Sequence, residues 1–282
     1  MRKVAAALIA SSLLVFASVA GAEECRYSAP RNADIDAAGL RSLVLRLGSS
    51  DLDIQGVPGL NRIEVRGTAC ASDKAWLKDL QISTGRSGDQ ATVDSERHGV
   101  STSIFNLFGS SYAYIKMQVR LPAALAVQVR SGSGDVQAKN LASLDFSSGS
   151  GDLIAEHVNG ALELQLGSAD VRADDVGSVT LHGTGSGDVH VSGVRGDVHA
   201  DHSGSGDLDF SHVRGGVQVG STGSGDVMLS DIGRDAEVGS TGSGDVTASG
   251  VGGNFTVRST GSGDVRYHDV KGKVDVPNRD DD

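Results

Sequence analysis

From Val136 onward the apolar residues come in short alternating pairs, cut apart by glycine, serine and aspartate. The stretch TGSGDVTASGVGGNFTVRS, beginning at Thr241, has Val246 and Ala248 two apart, Val251 alone, then Phe255 and Val257 two apart. The stretch before it repeats this with Val227, Leu229, Ile232, Ala236 and Val238, and the one before that with Leu208, Phe210, Val213, Val217 and Val219. A period of two belongs to a strand with one buried face. Glycines interrupting every apolar run exclude a helix.

The separating phrase is itself periodic. STGSGDV stands at 221–227, 240–246 and 259–265, with altered versions before them. Its aspartates are Asp135, Asp152, Asp170, Asp188, Asp207, Asp226, Asp245 and Asp264, whose spacing starts at 17 and settles at 19. A repeat of this length is one coil of a solenoid. Coils stacked about 4.8 Å apart would form parallel sheets whose backbone hydrogen bonds run to the coil above and below. The pattern therefore predicts an all-β fold, a parallel β-solenoid (β-helix) of about 19-residue coils. The phrase becomes the corner. Its glycines are expected to supply positive φ, and its aspartates, as a structural turn ladder, to accept hydrogen bonds from turn amides.

Ahead of the array, GSSDLDIQGVPGLNRIEVRGTAC (48–70) places Leu52 and Ile54, then Ile63 and Val65, as one degenerate coil with an insertion at Val57-Pro58-Gly59. Ser72 is placed to cap a short helix carrying Trp76, and strands are expected near 80–83, 91–96 and 112–121. The chain divides into a leader over 1–22, an N-terminal β-rich cap with one short helix over 23–130, the repeat array over 131–276 and a charged tail over 277–282. Pro277 and that tail should blunt the last sheet edge.

The leader is a secretory signal by its parts: Arg2 and Lys3, an apolar run from Val4 to Val19, and Ala20-Gly21-Ala22 as the cleavage site. Export to the periplasm or beyond is the expectation, with no membrane-spanning segment left after cleavage. In such a compartment Cys25 and Cys70, the two cysteines of the chain, are expected to pair as a structural disulfide. The formal charge of -11 repels phosphate backbones, and aromatics are 4% of residues, which excludes nucleic acid as a partner.

DLDIQGV at 51–57, YIKMQVRLPAALAVQVRSGSGDV at 114–136 and the serial SGSGDV and TGSGDV turns resemble the putative-adhesin family of bacterial β-strand-repeat domains of unknown function, related to auto-transporter adhesin head domains. The resemblance runs from about Leu43 to Val276. It implies an exported or envelope-associated β-solenoid without catalytic residues.

Candidate chemistry is sparse. The phrase differs from the calcium-binding glycine-aspartate nonapeptide in spacing and period, so no cofactor is expected; turn amides and serine hydroxyls are expected to offset the stacked carboxylates, with a cation such as Ca²⁺ as the alternative. His182, His190, His199, His202 and His212 read as outward, solvated side chains. Asp235 and Glu237, two apart on one strand, could mimic the carboxylate pair of a glycan-cleaving enzyme on a β-helix, and read otherwise as a solvated outward face. Phe105, Phe108, Tyr112 and Tyr114 gather in one stretch, which either offers a contact loop or folds Phe105 and Phe108 down to plug the end or flank of the solenoid. The expected function is that of a non-catalytic exported envelope protein, structural or interacting with an envelope protein or surface glycan. A carbohydrate-active enzyme or a calcium-dependent binding module is the alternative.

Overall fold

A computed structural model describes residues 25–97 and 112–277, without the side chains of residues 96 and 97. In chain order the strands are β1 (Tyr27–Asp36), β2 (Ser42–Gly48), β3 (Asp51–Val57), β4 (Arg62–Ala71), β5 (Leu80–Ser87), β6 (Gln90–Arg97), β7 (Ala113–Pro122), β8 (Ala126–Ser131), β9 (Val136–Leu141), β10 (Ser143–Ser148) and β11 (Leu153–Leu166). They continue with β12 (Val171–Gly183), β13 (Val189–Val194), β14 (Val198–Ser203), β15 (Leu208–Val213), β16 (Val217–Thr222), β17 (Val227–Ile232), β18 (Ala236–Thr241), β19 (Val246–Val251), β20 (Phe255–Thr260), β21 (Val265–Val270) and β22 (Val274–Asp275).

Each coil contributes one strand to each of two sheets. Sheet I runs β7-β3-β9-β11-β12-β13-β15-β17-β19-β21, all parallel, and adds β4 and then β1 antiparallel outside β7. Sheet II runs β6-β2-β8-β10-β11-β12-β14-β16-β18-β20-β22, all parallel, with β5 antiparallel outside β6. The long β11 and β12 turn from one sheet into the other without a break. The chain is thus a parallel β-solenoid. Register is constant: Val189, Leu208, Val227, Val246 and Val265 stack in one column, and Val198, Val217, Ala236, Phe255 and Val274 in another. Between the sheets lies one continuous apolar core. Its fully buried rings, Phe146, Phe210 and Phe255, fall in different coils.

The residue read as lying alone, Val251, is the last of β19, and Val213 and Ile232 end β15 and β17 in the same way. The residue before it breaks the alternation by taking a left-handed conformation: Asn140, His157, Asp175, Gly193, His212, Asp231, Gly250 and Asp269 all have φ between 54° and 71°. One such residue lets the strand turn a third apolar side chain inward. Asn, Asp, His and Gly tolerate that region best.

The cap departs further from the expected coil. Leu52 and Ile54 lie on β3, but Ile63 and Val65 lie on β4, in the same sheet, with β7 between them. Stretch 48–70 is therefore not a coil. After β4 and β5 the chain adds β6 and β7 outside β2 and β3, then crosses at Pro122–Leu125 to stack β8 and β9 on the other side. Ala123 N donates to Val57 O at 3.3 Å and Ala126 N to Arg41 O at 3.0 Å across that step. Gly56 makes room for it, since a Cβ there would sit 2.0 Å from Asn140 O and 3.2 Å from Ala123 Cα. The short helix is a 3₁₀ turn, Lys74–Asp79, capped by Asp73 rather than Ser72: the Asp73 carboxylate accepts from Ala75 N at 2.8 Å. Ser72 accepts from Tyr112 N at 3.2 Å instead.

Candidate functional site

The repeated corner recurs with the same geometry from coil to coil. It joins each sheet II strand from β8 onward to the next sheet I strand and opens, in all but one of these coils, on a serine or threonine turned inward. The hydroxyls of Ser131, Ser148, Thr184 and Ser203 donate to the carbonyl of the glycine three residues on, at 2.7 to 3.0 Å. Thr222 and Thr241 hold the same place, buried, but among the described residues their hydroxyls have no protein partner. Leu166 takes the place in one coil, with Ala169 where a glycine otherwise stands.

The glycines of the corners from β8 onward do not have positive φ, contrary to the expectation from sequence; among the described residues the positive-φ glycines are Gly39, Gly48, Gly59, Gly88, Gly193 and Gly250, of which Gly48 begins the corner between β2 and β3. They are required by the coil underneath. A Cβ on Gly223 would lie 2.4 Å from Gly204 O, and one on Gly225 2.1 Å from Gly206 O. At those two glycines the backbones leave no room for a Cβ, whereas the coil of Leu166 admits Ala169 at the place equivalent to Gly225.

The aspartates form an unbroken ladder, and their hydrogen bonds run between coils rather than within one turn. Asp51 Oδ1 accepts from Asp135 N at 3.3 Å, Asp135 from Asp152 N at 3.1 Å, and the rungs after it, through Asp170, Asp188, Asp207, Asp226 and Asp245 to Asp264 N, lie at 2.8 to 2.9 Å. The residue after each aspartate donates in turn to the main-chain carbonyl of the next rung, as Val227 N does to Asp245 O at 2.9 Å. Neighbouring carboxylates about 4.8 Å apart repel by about 1 kcal/mol at solvent dielectric. A hydrogen bond to a charged acceptor contributes about 1.5–3 kcal/mol, so the amides outweigh that repulsion. The last two rungs are also bridged by a cation of the chain itself: Arg266 reaches Asp245 Oδ2 at 2.7 Å and Asp264 Oδ2 at 3.0 Å. The hydrogen bond to Asp245 raises the Arg266 pKa above its ordinary value.

A shorter ladder lines the opposite turn. Asp197 Oδ1 accepts from Gly216 N at 2.8 Å, Asp235 from Asn254 N at 2.7 Å and Asn254 from Lys273 N at 2.9 Å. Asp235 is thus a turn residue, whereas Glu237, on β18, pairs with Arg258. The two carboxylates read as a pair are engaged by different partners.

The histidines lie on the outer faces beside aspartates. His190 is 2.8 Å from Asp209, and Asp201 lies 2.8 Å from His199 and 3.6 Å from His182. Among the described residues no three His, Cys, Asp or Glu side chains come together as a metal site.

At the cap, Cys25 and Cys70 form a disulfide that ties the chain ahead of β1 to β4. Beside it, an open groove of about 780 Å³ crosses the outer face of β4, β7, β3 and β9, lined by Asp51, Asp53, Arg66, Lys116 and Gln137 among others. Phe105 and Phe108 lie outside the described residues. Tyr112, just before β7, and Tyr114, near its start, lie with tilted rings and centroids 5.8 Å apart. The Tyr112 hydroxyl accepts from Arg26 N at 2.9 Å, and Lys116 lies 5.6 Å from the Tyr114 ring. No described helix is long and apolar enough to cross a membrane.

Fold and corner together define a parallel β-solenoid whose coils are locked by glycine and aspartate columns and whose N-terminal end is closed by antiparallel strands. The chain belongs to the Toastrack DUF4097 family, whose pattern matches residues 41–219. Several solved structures resemble it in part. A putative cell adhesion protein from Clostridium sporogenes shares 15% identity with a TM-score of 0.32 over 86% of this chain and 99% of that one. A putative adhesin from Bacteroides fragilis shares 9% identity with a TM-score of 0.39 over 86% of this chain and 98% of that one. A putative adhesin from Parabacteroides distasonis shares 10% with a TM-score of 0.32 over 88% and 97%. No curated protein matches the sequence.

Proposed function

We propose that the chain is exported by a leader cleaved after Ala22, and works in the periplasm or outside the cell as a non-catalytic envelope protein, structural or interacting with an envelope protein or surface glycan. The observation that carries this reading is the continuity of the ladder. From Asp51 to Asp264 each rung is hydrogen-bonded to the next, so the outer faces hold their polar side chains at fixed spacing from coil to coil. A surface of that kind suits rigid display. The carboxylates that could have served hydrolysis are committed to Asn254 and Arg258. The contact is assigned to the stretch around Phe105 and Phe108, with Tyr112 and Tyr114 at its base, because aromatic side chains concentrate there in a chain that is otherwise poor in them.

Two measurements test this. N-terminal sequencing of the protein from the envelope fraction should begin at Glu23; an intact leader on cytosolic protein would sink export. A chain lacking residues 1–22 should capture an envelope component from extract, and F105S/F108S should lose it. Equal capture by both would move the contact elsewhere.

A further inference from the structure

The two ends of the solenoid are unlike. At the N-terminal end, antiparallel strands close both sheets, and Trp76 and Leu77 pack with Ile82 on a second small core of Ala69, Ala71, Leu80, Ala113 and Ile115. Arg31 binds β1 to the 3₁₀ turn through the carbonyls of Leu77 and Leu80, both at 2.6 Å. At the other end, no element among the described residues covers the last coil. β21 is paired only with β19, and β22 only with β20. Columns buried in the earlier coils reach the surface there: Val265, Val270 and Val274 are half-buried, and Tyr267, stacked above Phe210, Leu229 and Ala248, is 48% exposed. Its ring still faces the core side, with its centroid 6.0 Å from that of Phe255. Next to Val265 an open hollow of about 410 Å³ is lined by Gly261, Gly263, Val276 and Pro277. Pro277 follows the two-residue β22 and so blunts sheet II alone, leaving the six-residue β21 of sheet I as an open edge.

We propose that this end is a homodimer interface in which β21 of two copies pair antiparallel about a two-fold axis through Arg266. An unpaired strand edge with an apolar inner face accepts another strand. The closed N-terminal end blocks head-to-tail addition, so the contact is isologous and stops at two copies. Directly opposed residues of an antiparallel pair share a face, which limits the register. With Arg266 on the axis, inward Val265 opposes the partner's Tyr267, and outward Asp264 opposes the partner's His268, each contact made twice. The aromatic ring then enters the hollow beside Val265. The two Arg266 side chains can approach each other because each is bound to its own Asp245 and Asp264. Moving the axis to Tyr267 would set Arg266 against the partner's His268, which lacks that complementarity.

Sedimentation equilibrium on the chain lacking residues 1–22, with circular dichroism on every variant, tests the proposal. The wild type should be dimeric. Tyr267→Lys, which points a charge into the hollow, should give a monomer with an unchanged spectrum. His268→Glu sets carboxylates against Asp264 in both copies and should weaken the dimer about tenfold, whereas His268→Lys should keep it. If Tyr267→Lys unfolds, the His268 pair of variants alone decides. A wild-type monomer at all concentrations overturns the proposal, and so does a dimer indifferent to both Tyr267→Lys and His268→Glu. Equal loss with His268→Lys and His268→Glu overturns the register.

Discussion

At the scale of the residue, the corner phrase owes its composition to the coil below it. In Gly225→Ala the new Cβ would meet a backbone oxygen at 2.1 Å, which no rotamer change relieves. Overpacking of this kind costs about 3 kcal/mol, toward the upper end of its usual range. Gly59→Ala, at φ 75° with nothing within 4 Å, should cost only about 1–2 kcal/mol from its left-handed backbone. Urea denaturation of the two variants should rank them in that order; the reverse order would mean that the coils can separate to admit a methyl group. The aspartate rungs make a second comparison. Asp226→Ala leaves Asp245 N–H without its acceptor and should lose about 1–3 kcal/mol. Asp226→Asn keeps an oxygen in place and sheds a charge, so its midpoint should stay at or above wild type, as Asn254 already serves Lys273 in the opposite turn. A more stable Asp226→Ala would show that repulsion along the ladder outweighs its hydrogen bonds. Thr222→Val should gain about 1 kcal/mol, since it removes a buried hydroxyl without a protein partner, whereas Thr184→Val gives up the bond to Gly187 O and should lose a similar amount.

At the scale of the element, alternation made the strands of the array legible, because each has one face in the core and the same spacing recurs in every coil. It could not show that Val251 ends the strand of Val246, since a left-handed residue interrupts the period between them. A trace of it was present in the sequence: the position before the third apolar residue carries only Asn, His, Asp or Gly. The corner was legible as a column of aspartates, but not the source of the amides they bind, because the partner lies one coil away and nothing within a coil states that offset. Ile63 and Val65 misled for another reason. Alternation looks the same in a parallel and an antiparallel strand, so β4 resembled the second limb of a coil. The antiparallel cap that β4 helps to form is held by the Cys25–Cys70 disulfide, which spans 45 residues. By the chain-entropy estimate a crosslink of that span contributes about 4 kcal/mol. Reduction should lower the melting temperature and speed hydrogen exchange first in β1, whose only strand partner among the described residues is β4. Unchanged exchange in β1 would place its anchorage in Arg31 and the 3₁₀ turn instead.

At the scale of the molecule, the array and the cap differ in whether their parts are interchangeable. From β13 onward the array coils contact only their neighbours, with equal register at each step, so stability there should be a sum of coil and interface contributions. The cap instead places β2 and β3 between two later pieces of chain, β6 and β7 on one side and β8 and β9 on the other. Its core therefore exists only when distant segments are all in place. Deleting residues 208–226 removes one full coil and joins Asp207 to Val227, restoring the D-V step and the ladder bond from Asp245 N to the carboxylate now one coil below. Ala236 then stacks on Val198 and Leu229 on Val191, which enlarges neither column greatly. That variant should fold, keep its β-sheet circular dichroism and melt in one transition at a somewhat lower temperature. Deleting residues 62–97 removes β4, β5 and β6, exposes β7 and β2, and takes away Cys70; it should abolish cooperative melting. Failure of the coil deletion to fold would show that the columns, equal in register, are not equal in packing, and that Phe210 against its neighbouring coils is as specific as any contact in the cap.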